Sequence, residues 1–205
     1  MTEKLPFHAH PKLPMHPPKA TVPAEPVLAM QLDGNGRYHK LSAGGTVPAE
    51  RCWLHLDYSA ESAREWLNTS PLVPDVIRHA LLGESNRPKL VKVNNGLQLT
   101  LRGINHNEGQ RPDHMVAIRF YITDQLIVST RHRRVYAVEQ VVRNLRQGLG
   151  PKSTADWLVD VCENLAEQAG DFIDELMDKI VLLEDEILEH RIPSRRELVE
   201  IRRQL

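Results

Sequence analysis

The sequence lacks any long apolar run. No stretch of about 18 apolar residues occurs, so we predict no membrane-spanning helix within these 205 residues. It also lacks a secretory signal peptide, because it begins with a polar, proline-rich segment. Its two cysteines, Cys52 and Cys162, form neither a disulfide framework nor the ligand spacing of a zinc finger, and a reducing cytosol is the simplest setting.

A strong net charge is missing as well. The 26 basic and 27 acidic side chains leave a formal charge of −1, which argues against nucleic acid as a partner. Motifs typical of enzymes are also absent: there is no nucleophile elbow, no HExxH and no glycine-rich phosphate loop. We therefore expect an ordinary globular composition without enzymatic activity, large enough to bury a core.

The strongest pattern that is present lies between residues 153 and 191. Ser153 is a candidate N-cap, and apolar residues follow at steps of three and four, which predicts one long and nearly straight amphipathic helix. This apolar row consists of Leu158, Val161, Leu165, Ala169, Phe172, Leu176, Ile180, Leu183 and Ile187. A row of carboxylates keeps the same rhythm and is expected roughly opposite: Asp156, Asp160, Glu163, Glu167, Asp171, Asp174, Asp178, Asp185 and Glu189.

The carboxylate row destabilises its own helix. Like charges one turn apart cost about 0.2–0.5 kcal/mol per pair, or about 1.5–3.5 kcal/mol for seven pairs. The row is either a solvated face that favours solubility or a surface that concentrates cations, as an ion vestibule does. Candidate metal-facing residues on this helix are Asp160, Cys162, Glu167, Asp171, Asp174, Asp178, Glu186 and His190.

Two pairs among these residues could ligate a metal directly. Glu186 and His190 are four residues apart and can face one ion, although a third ligand would have to come from elsewhere. Cys162 lies within one turn of Asp160, and a thiolate there could bind zinc. Each has a structural alternative, as a surface hydrogen-bonded pair and as a half-buried cysteine.

The chain divides into three predicted segments. Residues 1–26 form a proline-rich flexible tail, residues 27–150 a sheet-and-helix domain, and residues 153–205 a long helical arm. Paired strands with tight turns predict an α+β fold of the α/β/α type, with a mixed, largely antiparallel sheet flanked by helices. A break at Ile192-Pro193 predicts a helical hairpin. The last residues are typical of a helix still in progress, so we expect a longer protein.

Other clusters allow competing interpretations. His106, Asp113 and His114 share one loop and could belong to a soluble metal-dependent hydrolase or simply be solvated. Residues 131–134 form a basic cluster that could hold phosphate, although an ion pair within or between subunits is the simpler interpretation. His55 and Asp57, on one face of a strand, are expected to be structural.

Several short motifs in sequence order resemble the cytoplasmic domain of the CorA-type divalent-cation transporters, in particular the ZntB zinc-transporter branch. The motifs are Trp53-Leu54-His55-Leu56-Asp57-Tyr58, Gly83-Glu84-Ser85-Asn86-Arg87-Pro88, Leu101-Arg102-Gly103-Ile104-Asn105, Val116-Ala117-Ile118-Arg119, Leu126-Ile127-Val128-Ser129-Thr130-Arg131, Trp157-Leu158-Val159-Asp160 and Leu183-Glu184-Asp185-Glu186. The resemblance runs from about residue 52 to the end, is loose over residues 27–51, and does not include the tail.

The resemblance implies a homopentamer in the bacterial inner membrane, with Zn²⁺ as the transported or regulatory ion. Each cytoplasmic domain would continue through long helices of a funnel into two C-terminal membrane helices, the first ending in a G-x-N signature. This chain stops before them, and Gly103-Ile104-Asn105 matches the signature only by coincidence. A pure oligomerisation module, whose acidic face docks on residues 131–134 of a neighbour, is the other alternative.

The resemblance and the physics agree on a negative lumen. Roughly five acidic helices around an axis would raise the local cation concentration. Carboxylates alone are hard ligands that do not select zinc over magnesium, so zinc selection would need Cys162, His190 or another histidine.

Overall fold

Seven strands form one mixed sheet in the computed structural model, which describes residues 20–83, 86–189 and 194–204. The strands are β1 (Leu28–Leu32), β2 (Tyr38–Lys40), β3 (Cys52–Asp57), β4 (Lys89–Val93), β5 (Gly96–Gly103), β6 (Val116–Ile122) and β7 (Leu126–Arg131). Their order is β2-β1-β3-β7-β6-β5-β4, and every neighbouring pair is antiparallel except β3 and β7. The predicted mixed, largely antiparallel sheet is confirmed.

Helices cover both faces of this sheet. The helices are α1 (Glu61–Thr69), α2 (Asp75–Leu81), α3 (Tyr136–Gln147), α4 (Thr154–Leu188) and α5 (Arg195–Gln204). Because side chains alternate along a strand, Leu56 of β3 faces the core under α1 and α2, whereas Trp53 faces the core under α3 and α4. The result is the predicted α/β/α arrangement.

The first two helices begin without a side-chain cap. Ala60 is the N-cap of α1, and the neighbouring Ser59 hydroxyl donates instead to Asp57 at 2.5 Å. Pro74 is the N-cap of α2 and not part of its first turn. Gly148 ends α3 in the left-handed conformation (φ 80°) that glycine adopts without strain.

The first turns of α4 are fixed to the sheet by aromatic packing. The Trp157 ring lies 5.1 Å from that of Trp53 and 5.3 Å from that of Phe120, both in edge-on geometry. A Cβ on Gly103 would lie 2.6 Å from a methyl carbon of Leu165, so β5 and α4 approach as closely as glycine allows. This contact sets the direction in which α4 leaves the sheet.

The ends of the described chain follow the predicted segments in part. Most of segment 1–26 lies outside the described residues, but Thr21 bridges Thr46 and Val22 is buried. α5 packs against the last turns of α4, where Ile201 and Leu183 line one groove, as expected for the predicted hairpin, whereas its predicted break at Ile192-Pro193 lies outside the described residues. Among the helices described, none combines the length and apolarity needed to cross a bilayer. The division into three segments stays a prediction.

Candidate functional site

The acidic face of α4 begins with a carboxylate that the helix itself uses. The Ser153 hydroxyl accepts from the backbone N–H of Asp156 at 3.0 Å, and the Asp156 carboxylate accepts from the backbone N–H of Ser153 at 3.1 Å. This capping box satisfies two N–H groups that would otherwise lack partners at the helix start. Asp156 is therefore a structural group and not a free member of the row.

The following carboxylates are oriented toward solvent. Among the described residues, none of these side chains forms a salt bridge: Asp160, Glu163, Glu167, Asp171, Asp174, Asp178 and Asp185. All of them are exposed except Asp160, which is half-buried. Among the residues that the structure describes, the row is a continuous strip of negative charge without ion-pair partners.

Asp160 shows the electrostatic consequence of this arrangement. Partial burial raises the pKa of its carboxyl group, and the charges of Glu163 and Asp156 raise it further. The raised pKa means that ionising Asp160 is unfavourable beside its neighbours. A cation close to this part of the helix would favour the ionised form of Asp160.

Among the described residues, the predicted ligands do not converge on one point. In the part of the chain that the structure describes, no three His, Cys, Asp or Glu side chains converge to hold an ion. Cys162 lies on the exposed surface of α4, but nearby protein atoms partly desolvate its thiol and raise the pKa of that group. The raised pKa disfavours the thiolate that binds zinc. Glu186 lies half-buried in the groove between α4 and α5, and His190 falls outside the described residues. A direct ligand role for these residues remains a prediction.

A second apolar row on α4 was missed from the sequence. Val159, Ile173, Met177 and Val181 are each about half exposed (52, 56, 53 and 49%), and Leu188 is 77% exposed. The small residues Cys162, Ala166 and Gly170 continue the row between them. At 100° per residue, this row lies between the buried face and the acidic face. Its 3-4-4 spacing could have identified it, because the spacing equals that of the predicted buried row.

The side chains of the other two candidate clusters, the loop with His106 and Asp113 and the basic residues 131–134, make structural contacts. Asp113 is held by Arg111 through two bonds of 2.9 and 2.8 Å, which lower the pKa of its carboxyl group and occupy both oxygens. His106 packs against the ring of Tyr136 at 5.5 Å, so the predicted hydrolase loop does not assemble a nucleophile and base. In the basic cluster, Arg134 forms a bidentate ion pair with Glu139, the simpler of the two predicted roles.

Comparisons with known proteins place these features in a family. The family model described as "CorA-like Mg2+ transporter protein" matches residues 48–205. The chain belongs to the CorA-like family. The resemblance inferred from the sequence is thereby confirmed.

Two relatives show how much of a longer protein this chain matches. It is 45% identical over 188 residues to the zinc transport protein ZntB of Yersinia pseudotuberculosis, covering 91% of this chain and 58% of that protein. It is 46% identical over 180 residues to ZntB of Pectobacterium carotovorum, covering 87% and 55%. The chain thus spans little more than half the length of these relatives.

Solved structures share the fold. The full-length CmaX protein superposes with a TM-score of 0.80 at 26% identity, over 89% of this chain and 58% of that one. The ZntB cytoplasmic domain from Vibrio parahaemolyticus superposes with a TM-score of 0.71 at 24% identity, over 87% and 73%. The second likeness concerns the fold alone, and it agrees with the sheet and long helix described above.

Proposed function

We propose that this chain is the cytoplasmic funnel domain of a zinc transporter, and that the acidic face of α4 attracts divalent cations toward a membrane pore formed by further sequence. The observation that carries the proposal is the strip of exposed carboxylates without partners in the described chain. Membership of the CorA-like family and the zinc transport proteins among the relatives support it. In this proposal the ion is transported, so the strip must attract it without binding it tightly.

The proposal includes a homopentamer, and the exposed apolar row of α4 supports self-association. Side chains such as Ile173 and Met177 would be covered if α4 helices packed side by side, and the small Ala166 and Gly170 would permit close approach. Because the acidic face lies next to this row, the same packing would direct the carboxylates toward a common axis. Five copies would multiply the negative potential at that axis.

Calorimetry with Zn²⁺ and with Mg²⁺ tests the role of the acidic face. The variant Asp171→Asn/Asp174→Asn/Asp178→Asn removes three adjacent charges from the centre of the strip. The matched control, Glu65→Gln/Glu108→Gln/Asp124→Asn, removes three exposed charges from other elements. We expect weaker binding of both ions only in the first variant. Raising the salt concentration should weaken cation binding further, because salt screens the charges of the strip.

Two results would overturn this role. Cation binding could be the same in wild type and in the α4 variant, or it could fall equally in both triple variants, which would make net charge and not the strip responsible. Light scattering on the wild-type chain and on Ile173→Glu/Met177→Glu tests the assembly separately. A mass that does not change between these two proteins would contradict self-association through the apolar row.

A further inference from the structure

A cavity lies between the sheet and α3, and its charge is opposite to that of the acidic face of α4. Its volume is about 490 Å³, within the range of small-molecule sites. The residues that matter here are His55 on β3, Arg131 at the end of β7, Arg134 before α3, and Glu139, Arg143 and Arg146 on α3. Four arginines face one glutamate, so the lining is strongly basic.

His55 presents a hydrogen-bond donor to this cavity. It is fully buried, and its Nδ1 lies 2.8 Å from the hydroxyl oxygen of Ser129, its register partner on β7. The same oxygen accepts from the indole N–H of Trp53 at 2.8 Å. The single hydroxyl proton of Ser129 is then best used toward Nδ1, which assigns the imidazole proton to Nε2. Nε2 has no partner within the described chain.

Arg131 adds a second donor of the same kind. Its Nε is buried and also without an acceptor among the described residues. Asp57 and Glu139 attract the guanidinium from a distance, but neither forms a salt bridge with it. A buried donor without an acceptor is unfavourable, so two of them on one cavity wall favour the binding of an acceptor near both.

The charged side chains around the two donors favour a negatively charged acceptor. Arg134 is occupied by Glu139 at 2.6 and 2.9 Å, which leaves Arg131, Arg143 and Arg146 without salt bridges in the described chain. Arg143 is held over the ring of Tyr136 at 4.9 Å, at the edge of the cavity. The one carboxylate of the lining, Glu139, is already paired with Arg134, so a cation would find no free negative charge among the lining residues. An oxyanion would meet several of its preferred partners there.

We infer that this cavity binds a small ligand through a phosphate group, with His55 and Arg131 contacting the oxyanion at the cavity floor and Arg143 and Arg146 at its entrance. The apolar side chains of Leu28, Val138 and Val142 line the rest of the cavity and can accommodate an organic group. The site is separate from the acidic face of α4 and takes an ion of the opposite charge. It does not depend on the zinc-transport proposal.

Titration of the 205-residue chain with inorganic phosphate and with phenyl phosphate tests the site. We expect one saturable site at millimolar or lower concentration, with a shift of the His55 Nε2 resonance in the nitrogen NMR spectrum. Arg131→Gln should weaken binding by at least about tenfold, because it removes a charge-assisted contact. Arg143→Gln/Arg146→Gln, at exposed positions, should weaken it severalfold even if the buried substitution disturbs folding.

The matched control is Arg64→Gln/Arg102→Gln, which removes two exposed charges from residues that do not line the cavity. Tighter binding of phenyl phosphate than of inorganic phosphate supports a phosphate ester as the ligand, and equal binding supports free phosphate. Absence of saturable binding overturns the inference, as does equal weakening in the control. A change in oligomeric mass on Arg131→Gln without any phosphate effect also overturns it, because an acidic side chain of a neighbour would then be the partner.

Discussion

Acid should destabilise this protein through His55. Burial of the imidazole, reinforced by the charge of Arg131, lowers the pKa of His55 to about 3 from the ordinary 6.5. Below pH 6.5, His55 therefore binds a proton in the unfolded chain but not in the folded chain. The free energy of unfolding must fall as the pH decreases. Between pH 7 and pH 5 the loss amounts to about 2 kcal/mol, from 1.36 kcal/mol per unit of pKa difference.

Urea unfolding at several pH values, in buffer without phosphate, measures this loss. The variant His55→Asn keeps an oxygen that can accept from Ser129, but it removes the titrating group. It should be less stable than wild type at neutral pH because a cavity replaces part of the ring. Its stability should then change less on acidification, so that the gap between the two proteins narrows by about 2 kcal/mol by pH 5.

The control for this experiment is His39→Asn, which removes an exposed imidazole from the edge strand β2. The test is the difference between the two variants, because other histidines contribute to both curves. If His55→Asn and wild type lost stability in parallel between pH 7 and pH 5, the reasoning would be refuted. The imidazole would then accept its proton in the folded state, through an acceptor or anion that Nε2 finds.

Three further predictions follow from α4. Trp157→Ala should lower the free energy of unfolding by about 3–5 kcal/mol in urea titrations, since it removes the aromatic contact that fixes α4 to the sheet. Cys162→Ser should weaken Zn²⁺ binding but leave Mg²⁺ binding unchanged in calorimetry, because only zinc favours sulfur; equal affinities for Zn²⁺ would remove Cys162 from the candidate ligands. Ile173→Glu/Met177→Glu should lower the mass measured by light scattering, whereas exposed Val76→Glu on α2 should not.

Local patterns predicted most of the fold. The turn at Asp33 illustrates why: its carboxylate accepts the backbone N–H groups of Asn35 and Arg37 at 2.7 and 2.9 Å, which lowers its pKa and closes the β1–β2 hairpin within five residues. Alternation along β3 and the 3-4-4 spacing of α4 are equally local signals. Strands, hairpins and helices could therefore be assigned without knowledge of distant contacts.

Which side of α4 faces the core could not be predicted in the same way. The sequence pattern placed Leu158 and Ala169 in the buried row, but the structure fully buries Trp157 and places Gln168 in that face. One residue corresponds to a rotation of 100°, and apolar side chains occupy more than half of the helix circumference near its start. Which of them faces inward is decided by the position of Phe120 and Trp53 on the sheet, which is tertiary information.

The phosphate cavity depended on contacts even farther apart. His55 and Ser129 are 74 residues apart and meet only because β3 and β7 pair in parallel at the centre of the sheet. The sequence indicated that His55 was structural and that residues 131–134 formed a basic cluster. It gave no signal that one histidine nitrogen and Arg131 would share a cavity wall, since parallel pairing between distant strands has no local pattern.

The acidic face of α4 poses a final question, because the helix would be more stable without it. Asp171, Asp174 and Asp178 form no ion pair in the described chain, and with Glu167 and Glu175 they make five like-charged pairs one turn apart. Replacing the three aspartates by asparagine should raise the free energy of unfolding by about 1.0–2.5 kcal/mol at low salt, since asparagine and aspartate have similar helix propensity.

The same substitution is expected to weaken cation binding, so stability and ion attraction should change in opposite directions. A structural role for the carboxylates predicts that both decrease together, and a purely solubilising role predicts that cation binding is unaffected. Urea unfolding and calorimetry on one protein preparation distinguish these outcomes. If the triple variant proved less stable than wild type, the carboxylates would have partners in the assembly, and a strip open to divalent ions would no longer describe this face.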